Sequence, residues 1–259
     1  QRNSHPIGGI RGYSVDRVLI MTPFRNEAHS ILHYLKSLKA IEYPHSSIDL
    51  FWLENDSSDD TYNLLLQAKE RGLDFRSLNI HRKFILGSVQ KGKVGEYWKD
   101  MPYGKGRIKS WLSIWNKVFI PLILRSDAKW ILIWFADCVA PPNVIEKYME
   151  VYRDFPDCGW AGGLMYRRHP LEDQCIGPWD RFWKKEIPDE VTKVPFACAH
   201  CWLGKKSSFI DLEVKYLHDD IHLSIVKHLE KQGLFPYFTP KVYLRHVSND
   251  GKIESKRVV

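Results

Sequence analysis

Apolar positions along this chain come in two rhythms that alternate through its first half. "RVLIMTPF" is a continuous apolar run, and it predicts a buried strand from Val18 to Thr22 that stops at Pro23. From Glu27 the spacing changes, and Ile31, Tyr34, Leu35 and Leu38 predict an amphipathic helix over 27–39. The plan repeats with a strand from Ile48 to Leu53, an acidic turn, and a helix over about 60–71 with Asp59 as its cap. A third strand is expected near Phe75 to Ile80, ahead of a basic, Gly-rich stretch at 82–106. A helix carrying Ile108, Leu112, Trp115 and Phe119 follows, then a strand over 130–135 and a helix over 142–154. The second half is less regular. "CGWAGGLMYRRHP" predicts a strand running into a loop, 166–195 a long binding insertion, and 196–203 another strand. A helix over about 219–232 and a closing extended stretch through "VYLRH" complete the chain.

Strands alternating with helices imply right-handed crossovers and a mainly parallel sheet in an α/β fold. Neither a repeat nor a linker divides the 259 residues, so one domain is expected, with a ligand half over about 17–140 and a second half over 141–250. In such sheets ligands bind beyond the carboxyl ends of the strands. That rule gathers 22–27, 54–60 and Asp137 into one place.

Composition narrows the partners. A 44% hydrophobic content supports a sizeable core, and 38 basic against 31 acidic residues give +7. The excess favours phosphate-bearing ligands, a peripheral contact with an anionic membrane, or nucleic acid, and by itself selects among none of them. No basic block or aromatic-interleaved basic motif indicates a nucleic-acid module. Five cysteines exclude a complete disulfide framework. The lone C-x-x-C of Cys198 and Cys201, around His200, reads as packed thiols rather than a zinc knuckle. No run approaches the ~20 apolar residues of a membrane span. The chain starts at Gln1, so removal of an N-terminal anchor, and a Golgi-luminal place, stand beside a cytoplasmic or membrane-peripheral one.

Five polar clusters carry the candidate chemistry. "TPFRNEA" (22–28) offers donors at a strand-to-helix turn, or is that turn with Asn26 as cap. "ENDSSDDT" (54–61) holds more acids than one cap needs; Glu54 and Asp56 can accept from a base N–H or a ribose hydroxyl. Asp137, ending an apolar strand, can bind a divalent cation on two phosphates or pair with an Arg. Asp219 and Asp220 either serve a helix dipole or deprotonate an acceptor hydroxyl. His246 ends the last strand as a structural residue or a ligand.

In this order the clusters resemble the GT-A glycosyltransferases, the family-2-like nucleotide-sugar transferases in particular, over roughly 17–247. "TPFRNEA" is similar to that family's Pro-x-x-Asn-Glu turn, "ENDSSDDT" to its acidic turn, "FADCVAPP" to its Asp-x-Asp, and "DDIHL" to its acid-Asp-x-x-Leu motif. The first sixty residues also resemble the fungal mannan-polymerase mannosyltransferases, through "VLIMTPFRNEA", "YPHSSIDL" and "DSSDDT". The resemblance implies a Rossmann-like GT-A sheet and a UDP- or GDP-sugar donor. It also implies a glycan or lipid-linked acceptor, Mn2+ or Mg2+ as cofactor, and glycan biosynthesis as the process. Thr22, Pro23, Arg25, Glu27, Glu54 and Asp56 would border the donor, Asp137 and His246 would bind the metal, and Asp220, beside Asp219, would be the base of an inverting transfer. His200, Trp202 and Trp179 would face the acceptor. The mannan-polymerase group retains configuration, so the two resemblances imply different stereochemistry. Phe135 stands where the first acid of Asp-x-Asp is expected and is read as a packing residue. A nucleotidylyltransferase would need glycines that "TPFRNEA" lacks, and a catalytically silent binding module is the other competing reading.

Overall fold

Strand β1 (Val18–Phe24) organises the first half, because its seven residues alternate apolar side chains to both faces of a sheet. The computed structural model describes residues 15–55, 57–70, 85–88, 111–169, 172–176, 188–195, 200–215 and 222–253. β1 pairs in parallel with β2 (Ile48–Glu54) and with β4 (Trp130–Trp134), and β2 pairs in parallel with β3 (Ile85–Ser88). The connections are α1 (Ile31–Lys39), α2 (Thr61–Glu70), and a helical stretch in which a π-helical turn, Trp115–Phe119, runs into α3 (Ile120–Arg125). Pro23 costs β1 little: β4 pairs only with Val18 to Met21, so the missing N–H lies beyond that ladder.

After β4 come β5 (Cys138–Val139), α4 (Val144–Asp154), β6 (Cys158–His169) and β7 (Glu172–Ile176). β8 (Thr192–Lys193), β9 (Cys201–Lys205), α5 (His222–Lys231) and β10 (Phe235–His246) follow. The sheet order is β3-β2-β1-β4-β9-β6-β10-β5, with β7 on β6 and β8 on β10. Its first four strands are parallel as expected. β9 then runs antiparallel to both β4 and β6, so the whole sheet is mixed.

Several boundaries differ from the sequence reading. The first helix begins at Ile31 rather than 27, since 27–30 form a turn. The strand expected at 75–80 lies outside the described residues, and the edge strand is Ile85–Ser88. Part of the 166–195 insertion is a hairpin of β6 with β7, whose polar sequence hides the period of two.

The alternation in β1, β2 and β4 builds two cores. Val18, Ile20, Leu50, Trp52, Leu132 and Trp134 pack with α1, α2 and α4 on one face. Leu19, Met21, Phe51, Leu53, Ile131 and Ile133 pack with the 111–125 helical stretch and α5 on the other. The result is three layers, helices on both faces of one sheet. β10 bulges against β6 between Thr239 and Tyr243, where the partner strand simply steps from Gly163 to Leu164. Gly163 permits the bulge, since a Cβ there would stand 2.6 Å from the Val242 carbonyl oxygen. Past the bulge, β10 continues to His246 at the mouth of the site.

Candidate functional site

Parallel pairing brings the carboxyl ends of β1, β2 and β4 to one side, and the two turns leaving β1 and β2 are bonded together there. Asn26, in the left-handed region with φ 55°, donates its N–H to Ser57 Oγ (3.0 Å). Its Oδ1 accepts from the Ser58 N–H (2.8 Å). Glu27 N–H donates to Thr61 Oγ1 (2.7 Å), and Ala28 N–H to Asp59 Oδ2 (3.1 Å). The other Asp59 oxygen accepts from the Thr61 amide (3.0 Å), so the expected helix cap also holds the neighbouring turn. Burial pushes the Asp59 carboxyl up, but the bonds from Thr61 and Ala28 outweigh it and leave the group below its usual range.

Three titratable groups meet above these strand ends. His246 Nε2 lies 3.4 Å from Asp137 Oδ2, and the Val247 N–H donates to the Asp137 carbonyl (2.7 Å). Glu27 accepts from Ser30 Oγ (2.7 Å), with His29 Nε2 at 3.8 Å. Burial, then the charge on Asp137, push the Glu27 carboxyl from 4.5 up to about 8, against the opposing pull of Ser30 and His246; Asp59 adds to the rise. A carboxyl whose folded pKa is raised stabilises fully below its unfolded value and loses that stabilisation as pH rises through the folded one. Metal-free protein in EDTA is therefore expected to lose stability from pH 4.5 to 8. Glu27→Gln should remove on the order of 3 kcal/mol of that loss. Urea unfolding of both proteins at pH 5 and pH 8 checks this, and an equal loss of stability between the two pH values in both proteins would refute it.

Phe135 packs, as the sequence suggested. Its half-buried ring stacks on Trp111 (centroids 5.4 Å, 15°) and meets the His200 ring edge-on (5.4 Å, 68°). Its N–H donates to the His200 carbonyl (2.7 Å), which ties the end of β4 to the entry of β9.

Other predicted residues take different places. The Thr22 hydroxyl is fully buried and shares a 2.7 Å hydrogen bond with Tyr34 Oη, so that side chain packs in the core. Trp202 is 1% exposed, tilted 4.4 Å from Trp160 and stacked with Trp115 and Phe209, which makes it a core residue rather than part of a groove. Glu54 is buried, and its Oε1 accepts the Ser57 N–H (2.6 Å), so that carboxylate closes its own turn. Pro23 and Arg25 are half-buried at the end of β1. Asp56, Trp179, Asp219 and Asp220 lie outside the described residues. Cys138, Cys158 and Cys201 are buried thiols, in keeping with a packing role.

The sequence reading missed His29, two residues beyond Glu27, whose approach to that carboxylate shows only in the folded turn. A divalent cation would find a carboxylate and an imidazole in Asp137 and His246, a donor pair that suits Mn2+ better than the oxygen-preferring Mg2+. No group of three or more His, Cys, Asp or Glu side chains among the described residues is placed to hold a metal. No described helix is long and apolar enough to cross a membrane.

Comparison with solved structures finds the same fold in two glycosyltransferases. A mannosyltransferase from Pyrobaculum calidifontis in complex with GDP-Man and Mn2+ matches with a TM-score of 0.56 and 15% identity, over 90% of this chain and 57% of that one. S. aureus TarS 1–349 with UDP-GlcNAc matches with a TM-score of 0.53 and 10% identity, over 86% of this chain and 58% of that one. The fold is thus the GT-A fold. In sequence, the mannan polymerase II complex ANP1 subunit of Saccharomyces cerevisiae is 39% identical over 171 residues, which are 58% of this chain and 32% of that protein. The chain thus corresponds to about a third of this relative's length. The Anp1 family model matches residues 12–155, which contain the strand ends of β1, β2 and β4 and the two bonded turns, and the chain belongs to the Anp1 family.

Proposed function

We propose that this protein is a glycosyltransferase that moves a sugar from a nucleoside-diphosphate sugar to a hydroxyl of a glycan or lipid-linked acceptor. The observation that carries this reading is the meeting of Glu27, Asp137 and His246 at the strand ends of a GT-A sheet. Solved proteins with that fold hold UDP-GlcNAc and GDP-Man. Pro23, Arg25 and the two bonded turns border the nucleotide, with Asp56 in the second of them. Asp137 and His246 would hold a divalent cation, Mn2+ by the chemistry of the pair, which when bound neutralises charge growing on the departing diphosphate.

In an inverting transfer Asp220 accepts the acceptor's hydroxyl proton. The acceptor oxygen bonds to the anomeric carbon as the bond from that carbon to the diphosphate breaks, and its electrons leave with the diphosphate. Asp219 stands beside the base in sequence, and His200 lies at the acceptor side. A second reading, retaining mannosyl transfer from GDP-mannose, is favoured by the match to the mannan polymerase subunit. The anomeric configuration of the product, read by NMR, separates the two.

The first test is a thermal-shift panel of UDP-, GDP- and CDP-sugars, each with Mn2+ and with EDTA. A donor at a hundred times its Kd stabilises by ~2.7 kcal/mol. Stabilisation by one donor class, larger with Mn2+, is the expected result. Equal stabilisation in EDTA would remove the cation from Asp137 and His246. Absence of any shift, with no donor hydrolysis, would overturn the transferase reading in favour of a silent module.

A further inference from the structure

Two polar residues of α1, His33 and Ser37, stand one helical turn apart on a shared face, and each bonds to a distant part of the chain. A serine inside a helix competes for backbone bonds and is disfavoured unless its hydroxyl is used elsewhere. Ser37 is 6% exposed, and its Oγ donates to the Ala140 carbonyl (2.9 Å) and accepts the Ala140 N–H (3.0 Å). His33 Nε2 lies 2.9 Å from the Gly251 carbonyl oxygen, which can only accept, so that nitrogen carries the proton. Gly251 presents this carbonyl from the left-handed region, with φ 76°.

Each bond falls just beyond one member of the Asp137–His246 pair. Ala140 is three residues past Asp137, and Gly251 is five residues past His246. The main chain joins the two members. His246 pairs with Cys138 across the β5–β10 ladder, and the Val247 N–H donates to the Asp137 carbonyl (2.7 Å). Beyond Val247 the chain folds into a short hook, closed by the Val247–Ile253 bridge and by the Ser248 N–H donating to the Lys252 carbonyl (2.9 Å). Asn249, Asp250 and Lys252 are exposed, so burial does little to hold the hook in place. We infer that α1 sets the spacing of Asp137 and His246, with Ser37 holding the chain that leaves the first and His33 the hook that follows the second. His33 and Ser37 are positioning residues, acting through the pair. The inference rests on the reading above that the pair holds a cation.

The test compares wild-type protein with His33→Ala, His33→Gln and Ser37→Ala by two readouts, neither of them activity. In EDTA, hydrogen exchange of the Val247 amide is expected to quicken about tenfold or more in both alanine variants, while the amides of β1 keep their wild-type rates. Titration with Mn2+ alone, followed by electron paramagnetic resonance, should show affinity weakened roughly tenfold in both, as loss of supporting groups does at metal sites. Gln places an amide N–H near the position of the imidazole Nε2, so His33→Gln should stay within about threefold of wild type in both readouts. A wild-type exchange rate at Val247 in His33→Ala overturns the inference, whether or not Ser37→Ala folds. Equal quickening in β1 also overturns it, because that marks a loss of global stability alone. So does unchanged Mn2+ affinity beside a loosened Val247. Wild-type protein that takes up no Mn2+ marks failure of the cation reading, and exchange at Val247 then decides the positioning role alone.

Discussion

Asp220→Asn is expected to lose about 10²–10⁴-fold in transfer rate, the usual contribution of a positioned general base. The amide is almost isosteric with the carboxyl but cannot accept the acceptor's proton at neutral pH. Donor binding should survive, because the groups proposed to hold the nucleotide and diphosphate come from the ends of β1, β2, β4 and β10. A thermal shift with donor checks that half of the claim, and single-turnover transfer checks the other. A mutant that binds donor and keeps more than about a tenth of wild-type rate rules out Asp220 as the base. The retaining reading would then stand, because it needs no base to deprotonate an acceptor on the face opposite the leaving group.

Trp202→Ala is expected to destabilise the protein by about 3–5 kcal/mol, as large aromatic truncations in cores do. The ring fills the space between Trp160 on β6, Trp115 in the π-helical turn, and Phe209. β9 is also the strand that joins the parallel half of the sheet to the rest. Against a total stability of ~5–15 kcal/mol the loss is severe, and the unfolding midpoint should fall on the order of 10 °C. Trp202→Phe should be much milder. It keeps an aromatic ring in the stack and removes an indole N–H that is buried without a hydrogen-bond partner among the described residues. Urea unfolding of the two variants tests the assignment. An alanine variant with wild-type stability but weakened acceptor use would return Trp202 to the acceptor groove.

The first half of this fold was legible because local pattern and tertiary position agree there. Apolar runs of five to seven residues became central parallel strands, 3.6-residue spacing marked α1 on the face it covers, and the Asp59 cap marked the start of α2. The strand-end rule gathered 22–27, 54–60 and Asp137 without any tertiary information, and the fold adds His246 beside Asp137. Where the reading failed, the deciding contact came from distant sequence. Glu54 and Asp59 are both acids of one turn, yet one closes its own turn and the other reaches across to Ala28. Trp202 looked like a ring-binding residue because aromatic side chains suit sugars and cores equally well. The β6–β7 hairpin and the β10 bulge depend on pairing partners that a short polar sequence does not announce.

The bonds between the β1–α1 and β2–α2 turns carry a consequence for how such a chain can change over time. Asn26 meets Ser57 and Ser58, Glu27 meets Thr61, and Ala28 meets Asp59, each across thirty or more positions of sequence. In every pair one partner is a backbone amide and the other a side chain, so altered chain length in one turn displaces acceptors or donors that the other needs. Two segments far apart in the gene are therefore inherited as one part. A lineage that adapts this site to a new donor is expected to revise both turns in step, and grafting one of them alone from a relative should leave the pair mismatched.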